Sequence, residues 1–261
     1  IFVWSGLRLR NGVYMFNDIN IGPLTLHMYG LMIAVGFLAA LFLSEYWAKK
    51  KGLDRDILYG ILVCAIVGGI VGCKLLYYIV ELPQIIKDPS ILLDFKNGFV
   101  VYGGIIGGVL ASMLYIKKIK KTAFLPYLDI VMPGVAVGQG FGRIGCFFAG
   151  CCYGARTESA FSIVFKHSDY APNNVKLIPT QLISSAGDFV IAAVLYFYLS
   201  RKHADGRVGA LYFILYGIGR FAIEFLRDDY RGSIGVFSTS QIISLAVVVL
   251  GAVLFVRTGK R

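Results

Sequence analysis

Apolar residues fall in seven long runs, at about 24–46, 57–80, 99–116, 126–146, 179–199, 209–226 and 238–256. Each run is near the roughly 20 residues that an α-helix needs to cross the hydrocarbon core of a bilayer. The pattern predicts an all-α, polytopic integral membrane protein with about seven transmembrane helices. It leaves no room for a separate soluble domain, so residues 1–261 read as one transmembrane domain. The third and sixth runs are short and interrupted by glycine. Residues 1–20 precede the first run and carry Arg8 and Arg10 near Phe2 and Trp4. They read either as a short surface-lying arm or as a disordered tail, and they lack the basic, apolar, small order of a cleavable signal.

Composition agrees with the runs, since hydrophobic residues fill 57% of the chain, more than an ordinary soluble domain carries. The net charge of +11 first suggests nucleic acid as a partner. Its distribution excludes that reading. Basic residues cluster in alternate loops, at Lys49, Lys50, Lys51 and Arg55, then Lys117, Lys118, Lys120 and Lys121, then Arg201, Lys202 and Arg207, then Arg257, Lys260 and Arg261. On the other side, residues such as Lys87, Lys96, Arg156, Lys166 and Arg231 are spread over much longer segments. Short loops rich in Lys and Arg stay in the cytoplasm. The C-terminus is therefore expected in the cytoplasm and the N-terminus outside, which an odd number of spans also requires.

Against this apolar background the buried-looking charges stand out. Arg143 lies at the end of the fourth run, in a segment from Gly142 to Gly154 that contains Gly145, Cys146, Gly150, Cys151 and Cys152. An arginine at membrane depth costs about 3 kcal/mol even on the lenient insertion scales, so a function is the default reading. Arg220 is a second such cation, and Glu224 follows it by four residues on the same helix face, where the two can pair. Arg143 has no acid at that spacing, only Gln139 one turn back. Two intramembrane arginines suggest a site for an anionic group at the edge of the lipid. Asp129 begins the fourth run, and Tyr29 follows His27 and Met28 at the start of the first. Tyr102 precedes Gly103, Gly104, Gly107 and Gly108, whose small-xxx-small spacing also fits plain helix packing. Lys74 is placed to snorkel to the headgroups.

Cys64 and Cys73 read as small packing residues within apolar runs. The Cys-x4-Cys-Cys spacing of Cys146, Cys151 and Cys152 is not a usual zinc pattern and has no histidine nearby, so no metal is expected. A disulfide among them is open, but adjacent Cys151 and Cys152 would make a strained pair. The three histidines, His27, His167 and His203, lie in separate places and give no Cys–His pairing for nucleophilic catalysis.

Three segments together resemble the prolipoprotein diacylglyceryl transferase family. Ile21 to Met32 looks like its first-helix motif, Gly142 to Gly154 like a cysteine-rich variant of its signature, and Gly219 to Arg227 like its penultimate-helix motif. Pro179 to Leu182 and Ser240 to Ser244 are weaker matches in the same order. The resemblance spans about residues 20 to 250 and implies seven helices, with the N-terminus out and the C-terminus in. It implies a bacterial cytoplasmic (inner) membrane enzyme with its active site toward the outer side. The implied reaction moves the diacylglyceryl group of phosphatidylglycerol to the lipobox cysteine thiol of a prolipoprotein, forming a thioether. Partners would be phosphatidylglycerol, prolipoprotein signal peptides with a lipobox, and membrane lipid, with no cofactor. By the same resemblance, Arg143 and Arg220 would clamp the phosphate and Glu224 would hold Arg220. Tyr29 and Asp129 would orient substrate, and Gly154 would allow close approach. Tyr102, Gly103, Gly104 and Cys146 fall on further site positions.

The chain also departs from the family. Many members carry histidine where this chain has Tyr102, and a phenol is a poor base at neutral pH, though it can donate a hydrogen bond. Cys146 replaces an asparagine, Ala149 and Cys151 replace an asparagine and a glutamate, and Ile183 and Ser184 replace a tyrosine and a glutamate. Two other classes therefore stay open. One is a non-catalytic lipid- or lipoprotein-binding homologue. The other is a small-solute transporter, which would want internal repeats that the two halves do not display.

Overall fold

The computed structural model of the protein describes residues 13–14, 18–21, 24–94, 98–228, 233–234 and 237–259. Most of the expected 1–20 arm, and the terminal Lys260 and Arg261, lie outside the described residues. The helices are α1 (Met28–Lys51), α2 (Arg55–Val80), the short α3 (Leu82–Lys87), α4 (Val101–Leu114), α5 (Leu125–Ala149), α6 (Thr180–Leu199), α7 (Arg207–Glu224) and α8 (Thr239–Gly259). The chain is thus mostly helical, and a helix overlies most of each apolar run.

Five helices, α1, α2, α5, α6 and α8, are long and apolar enough to cross a membrane. The other two fall short for separate physical reasons. Helix α4 has 14 residues before a π-helical turn over Tyr115–Lys120, and 14 residues reach only about 21 Å. Helix α7 has 18 residues but includes Arg207, Arg220 and Glu224. The charges that mark a site are the ones that lower its hydropathy.

Small β elements depart from an all-helical reading. Strands β1 (Val13–Tyr14), β2 (Asp18–Ile21) and β3 (Leu24–His27) come before α1. Strands β4 (Ile163–Lys166) and β5 (Lys176–Leu177) lie between α5 and α6, and β6 (Ser233–Ile234) and β7 (Phe237–Ser238) precede α8. The first apolar run begins at residue 24, but residues 24–27 pair antiparallel with β2, so the helix starts only at Met28. Strand β4 pairs with β5 and, in parallel, with β1. Around β4 a cap builds its own core from Phe165, Ala171 and Leu177, with Phe147 of α5 packed against it. That contact fixes the α5–α6 connection to the end of α5.

Two compact units are distinguished, Ile1–Ser44 with Leu128–Arg261, and Glu45–Tyr127. Within the second, α2 and α4 pack face to face through glycine. A Cβ on Gly103 would run into the Gly72 carbonyl and Leu76, and one on Gly104 into the Cys73 sulfur. Both glycines therefore sit in the helix–helix seam. Tyr102 sits beside them in the first turn of α4 and is 43% exposed. Lys74 lies over the Tyr77, Tyr78 and Phe99 rings and donates to the Asp94 carbonyl.

Candidate active site

In the first unit, the C-terminal ends of α5 and α7 meet the N-terminal ends of α1, α6 and α8. Gly154, just past α5, marks this junction. Its N–H donates to the Ile178 carbonyl at 3.2 Å, and a Cβ there would sit 2.7 Å from both the Ile178 and Leu226 carbonyl oxygens. The close approach that Gly154 permits is thus of the protein's own backbone. On the α1 side, Tyr29 packs against Gly145, with a ring carbon 3.2 Å from where a Gly145 Cβ would be.

The junction encloses a cleft of about 270 Å³. Its walls are mainly Ile183, Ile191, Ile223 and Leu226, and its polar groups are Arg143, Ser184, Asp188, Tyr216 and Arg220. An apolar cleft with a few convergent polar groups is the usual form of a ligand site.

The two arginines are held differently. The Nη1 of Arg220 lies 2.7 Å from a Glu224 carboxylate oxygen, as the i,i+4 spacing predicts. The N–H is not directed along that line, so the pair is a close ion contact without a directed hydrogen bond. Nη2 of Arg220 donates to the Ser240 hydroxyl at 2.9 Å. Glu224 accepts in turn from the Ser238 hydroxyl at 2.8 Å. Ser238 and Gln241 form a capping box at the start of α8. The Ser238 N–H donates to the Gln241 side-chain oxygen at 2.9 Å, and the Gln241 N–H to the Ser238 hydroxyl at 3.1 Å. The orientation of Arg220 therefore depends on the cap of the next helix. Arg143, by contrast, has no hydrogen bond or ion pair to another described residue. Its guanidinium lines the cleft beside Asp188 and Tyr216, and the Asp188 carboxylate acts on it through longer-range charge.

Asp188 is the residue that sequence spacing missed. It is 6% exposed, and it is a charge inside an apolar run, the same signal that singles out Arg143. Its helix face also carries Ser184, one turn earlier. Gln139, the expected neighbour of Arg143, is instead engaged by the Tyr212 hydroxyl at 2.8 Å.

Asp129 is not brought to this cleft. It lies 14 residues before Arg143 on α5, about 21 Å away along the helix. Its carboxylate accepts from the Gly206 N–H at 2.6 Å and the Gly209 N–H at 2.8 Å. An anion at a helix N-terminus satisfies donors that otherwise have no partner, so Asp129 caps α7 from a different helix. Tyr102, Gly103 and Gly104 belong to the other unit and are described within it.

Cys146, Cys151 and Cys152 converge. Their sulfur atoms all lie within 4.8 Å of one another, and none is in a disulfide. Backbone geometry causes this. Gly150, at φ +70°, ends α5. The Gly150 N–H bonds the Phe147 carbonyl at 3.1 Å and the Cys151 N–H bonds the Cys146 carbonyl at 3.2 Å. That pair of bonds is a Schellman motif, which folds Cys151 back over Cys146.

A family model described as prolipoprotein diacylglyceryl transferase matches residues 17–257. The phosphatidylglycerol–prolipoprotein diacylglyceryl transferase of Clostridium tetani is 48% identical over 232 residues, covering 89% of this chain and 93% of that protein. Clostridium perfringens has a protein named phosphatidylglycerol–prolipoprotein diacylglyceryl transferase 2, which is 43% identical over 233 residues, 89% of this chain and 91% of its own. The transferase of Finegoldia magna is 35% identical over 235 residues, 89% of this chain and 91% of its own. Matched over nearly its whole length, and carrying two half-buried arginines in one cleft, the chain belongs to the prolipoprotein diacylglyceryl transferase family.

Proposed function

We propose that the protein transfers the diacylglyceryl group of phosphatidylglycerol to the lipobox cysteine thiol of a prolipoprotein, and that it does so in the Arg143–Arg220 cleft. The observation that carries this reading is the pair of half-buried guanidiniums in one apolar cleft, one held by Glu224 and Ser240 and the other without a hydrogen-bond or ion-pair partner among the described residues. In the reaction the thiol sulfur bonds to the glyceryl carbon and the carbon–oxygen bond to the phosphate breaks. The electron pair stays on the departing glycerol phosphate, whose negative charge grows. A planar guanidinium fork matches phosphate oxygens, and low dielectric strengthens the contact. The thiol proton goes to a nearby acceptor, and Asp188 is the carboxylate that the cleft offers. The acyl chains follow the apolar walls to the lipid.

The reading includes seven membrane-crossing helices in a bacterial cytoplasmic membrane, with the N-terminus outside, the C-terminus inside and the cleft toward the outer face. The clustering of Arg201, Lys202 and Arg257 at the opposite ends of α6 and α8 supports that orientation. In this reading Tyr29, which packs against Gly145 two residues past Arg143, contacts substrate. The test is transfer of labelled diacylglyceryl from phosphatidylglycerol vesicles to a lipobox peptide, with the mass of the peptide product read directly. Binding of phosphatidylglycerol with no thioether formed would favour the non-catalytic homologue instead.

A further inference from the structure

We propose that Cys146, Cys151 and Cys152 form a binding site for a thiophilic d10 cation, of the class of zinc(II) and copper(I), beside the arginine cleft. Linear spacing argues against such a site because ligands usually come in regular pairs. The fold removes that objection. The Schellman turn at Gly150 returns Cys151 to the last turn of α5, and its thiol lies 3.7 Å from the Cys146 carbonyl oxygen. Cys152 then adopts a left-handed backbone at φ +62°, a region that costs a residue with a Cβ some strain.

Two side chains of α6 hold this strained turn. The Thr180 hydroxyl donates to the Cys152 carbonyl at 2.8 Å, and the Gln181 amide donates to the Cys151 carbonyl at 2.8 Å. Thr180 and Gln181 are themselves buried. The three thiols are therefore gathered by backbone that is pinned from another helix. Thiolate sulfurs at about 2.3 Å from a common ion stand roughly 3.7–4.0 Å apart. The three here, within 4.8 Å of one another, stand within about an ångström of that spacing. Among the described residues the cluster holds no imidazole or carboxylate, and a donor set of thiolates alone selects soft d10 ions.

Two cations stand beside the cluster. Arg143 precedes Cys146 by three residues on α5, and Arg227 lies against Cys152. A metal requires thiolates, and the bound ion itself displaces the protons that burial and crowding otherwise hold on these thiols. Three thiolates around a divalent ion leave a net negative charge, which these cations offset. An occupied site would therefore compete for the charge of Arg143. That consequence for turnover rests on the proposed phosphate-binding role of Arg143, whereas the binding itself does not.

The test uses the full chain, purified in detergent under a non-thiol reductant, with cadmium(II) as the probe. The ultraviolet thiolate-to-cadmium band should saturate at one cadmium per chain. Each of Cys146→Ser, Cys151→Ser and Cys152→Ser should weaken binding by at least about tenfold. A Cys64→Ser/Cys73→Ser double variant should bind as the parent does. A parallel measurement needs no variant: cadmium should protect Cys146, Cys151 and Cys152 together from alkylation, as read by peptide mass mapping. Displacement of cadmium by zinc(II) or by copper(I) would support the site, and the stronger competitor identifies the ion it favours. Absence of the band in the parent protein, or alkylation of the three cysteines unchanged by cadmium, would overturn the proposal whatever the transfer assay gives.

Discussion

Arg143 and Arg220 meet the cost of burial in different ways, so their substitutions should fail differently. Arg220 is paired with the Glu224 carboxylate and bonded to the Ser240 hydroxyl, whereas Arg143 faces the cleft with its fork uncommitted. Arg143→Ala should lower transfer by at least about 100-fold, the size of effect seen when one donor to a developing oxyanion is removed. Arg143→Lys should recover part of that loss, because it keeps charge but not the fork. Glu224→Gln should be milder, since the amide still fills the space between Arg220 and Ser238. Near-normal turnover in the alanine variants of both arginines would remove the phosphate clamp. Asp188→Asn should depress kcat with little change in KM if the carboxylate takes the thiol proton, and a change in KM alone would reassign it to substrate binding. At this scale much was legible. A charge in an apolar run and an i,i+4 pair identify Arg143, Arg220 and Glu224 from sequence alone. Asp188 obeys the same charge rule, yet spacing along α5 cannot reveal a group contributed by α6.

At the scale of elements, the helices follow from the apolar runs, while what holds their ends does not. Asp129 is visible as a charge at the start of a run, but its acceptor role depends on amides 77 and 80 residues away. Asp129→Ala should strip two buried amides of their acceptor and cost about 1–3 kcal/mol per unsatisfied group. Thermal unfolding in detergent should show the loss, with transfer at low temperature largely kept. A KM rise without a lower Tm would return Asp129 to the substrate-orienting role that family resemblance suggests. The α7–α8 junction makes the complementary case. Ser238→Ala removes both the α8 cap and a donor to Glu224, so it should lower stability by about 1 kcal/mol and lower turnover as well. The strands at 163–166 and 176–177 were not legible, because elements of two to four residues carry too little periodicity to separate from loop. Gly103 and Gly104 were legible as packing, since their spacing matches the α2 seam they occupy.

For the whole molecule, the distribution of charge sets a testable orientation. In the first unit the cleft, the three cysteines and the β4–β5 cap gather at one set of helix ends, where α5 finishes and α6 begins. Arg201, Lys202 and Arg257 lie at the other set, where α6 and α8 finish. In the proposed orientation a bilayer separates these ends, with the basic ends in the cytoplasm by the positive-inside bias. The cleft would then open at the outer leaflet, where a prolipoprotein's lipobox emerges. Single cysteines in a background without native cysteines test this within the one unit. Phe161 in the cap is 87% exposed, and Phe161→Cys should react with a membrane-impermeant maleimide in cells whose outer envelope is permeable. Lys202→Cys, exposed in the α6–α7 loop, should react only after the cytoplasmic membrane is opened. Labelling of Lys202→Cys in intact cells, with Phe161→Cys protected, would invert the protein and place the cleft on the wrong side for exported precursors. Equal labelling of both before opening would mean that the α5–α6 and α6–α7 connections share a side, and that α6 does not cross.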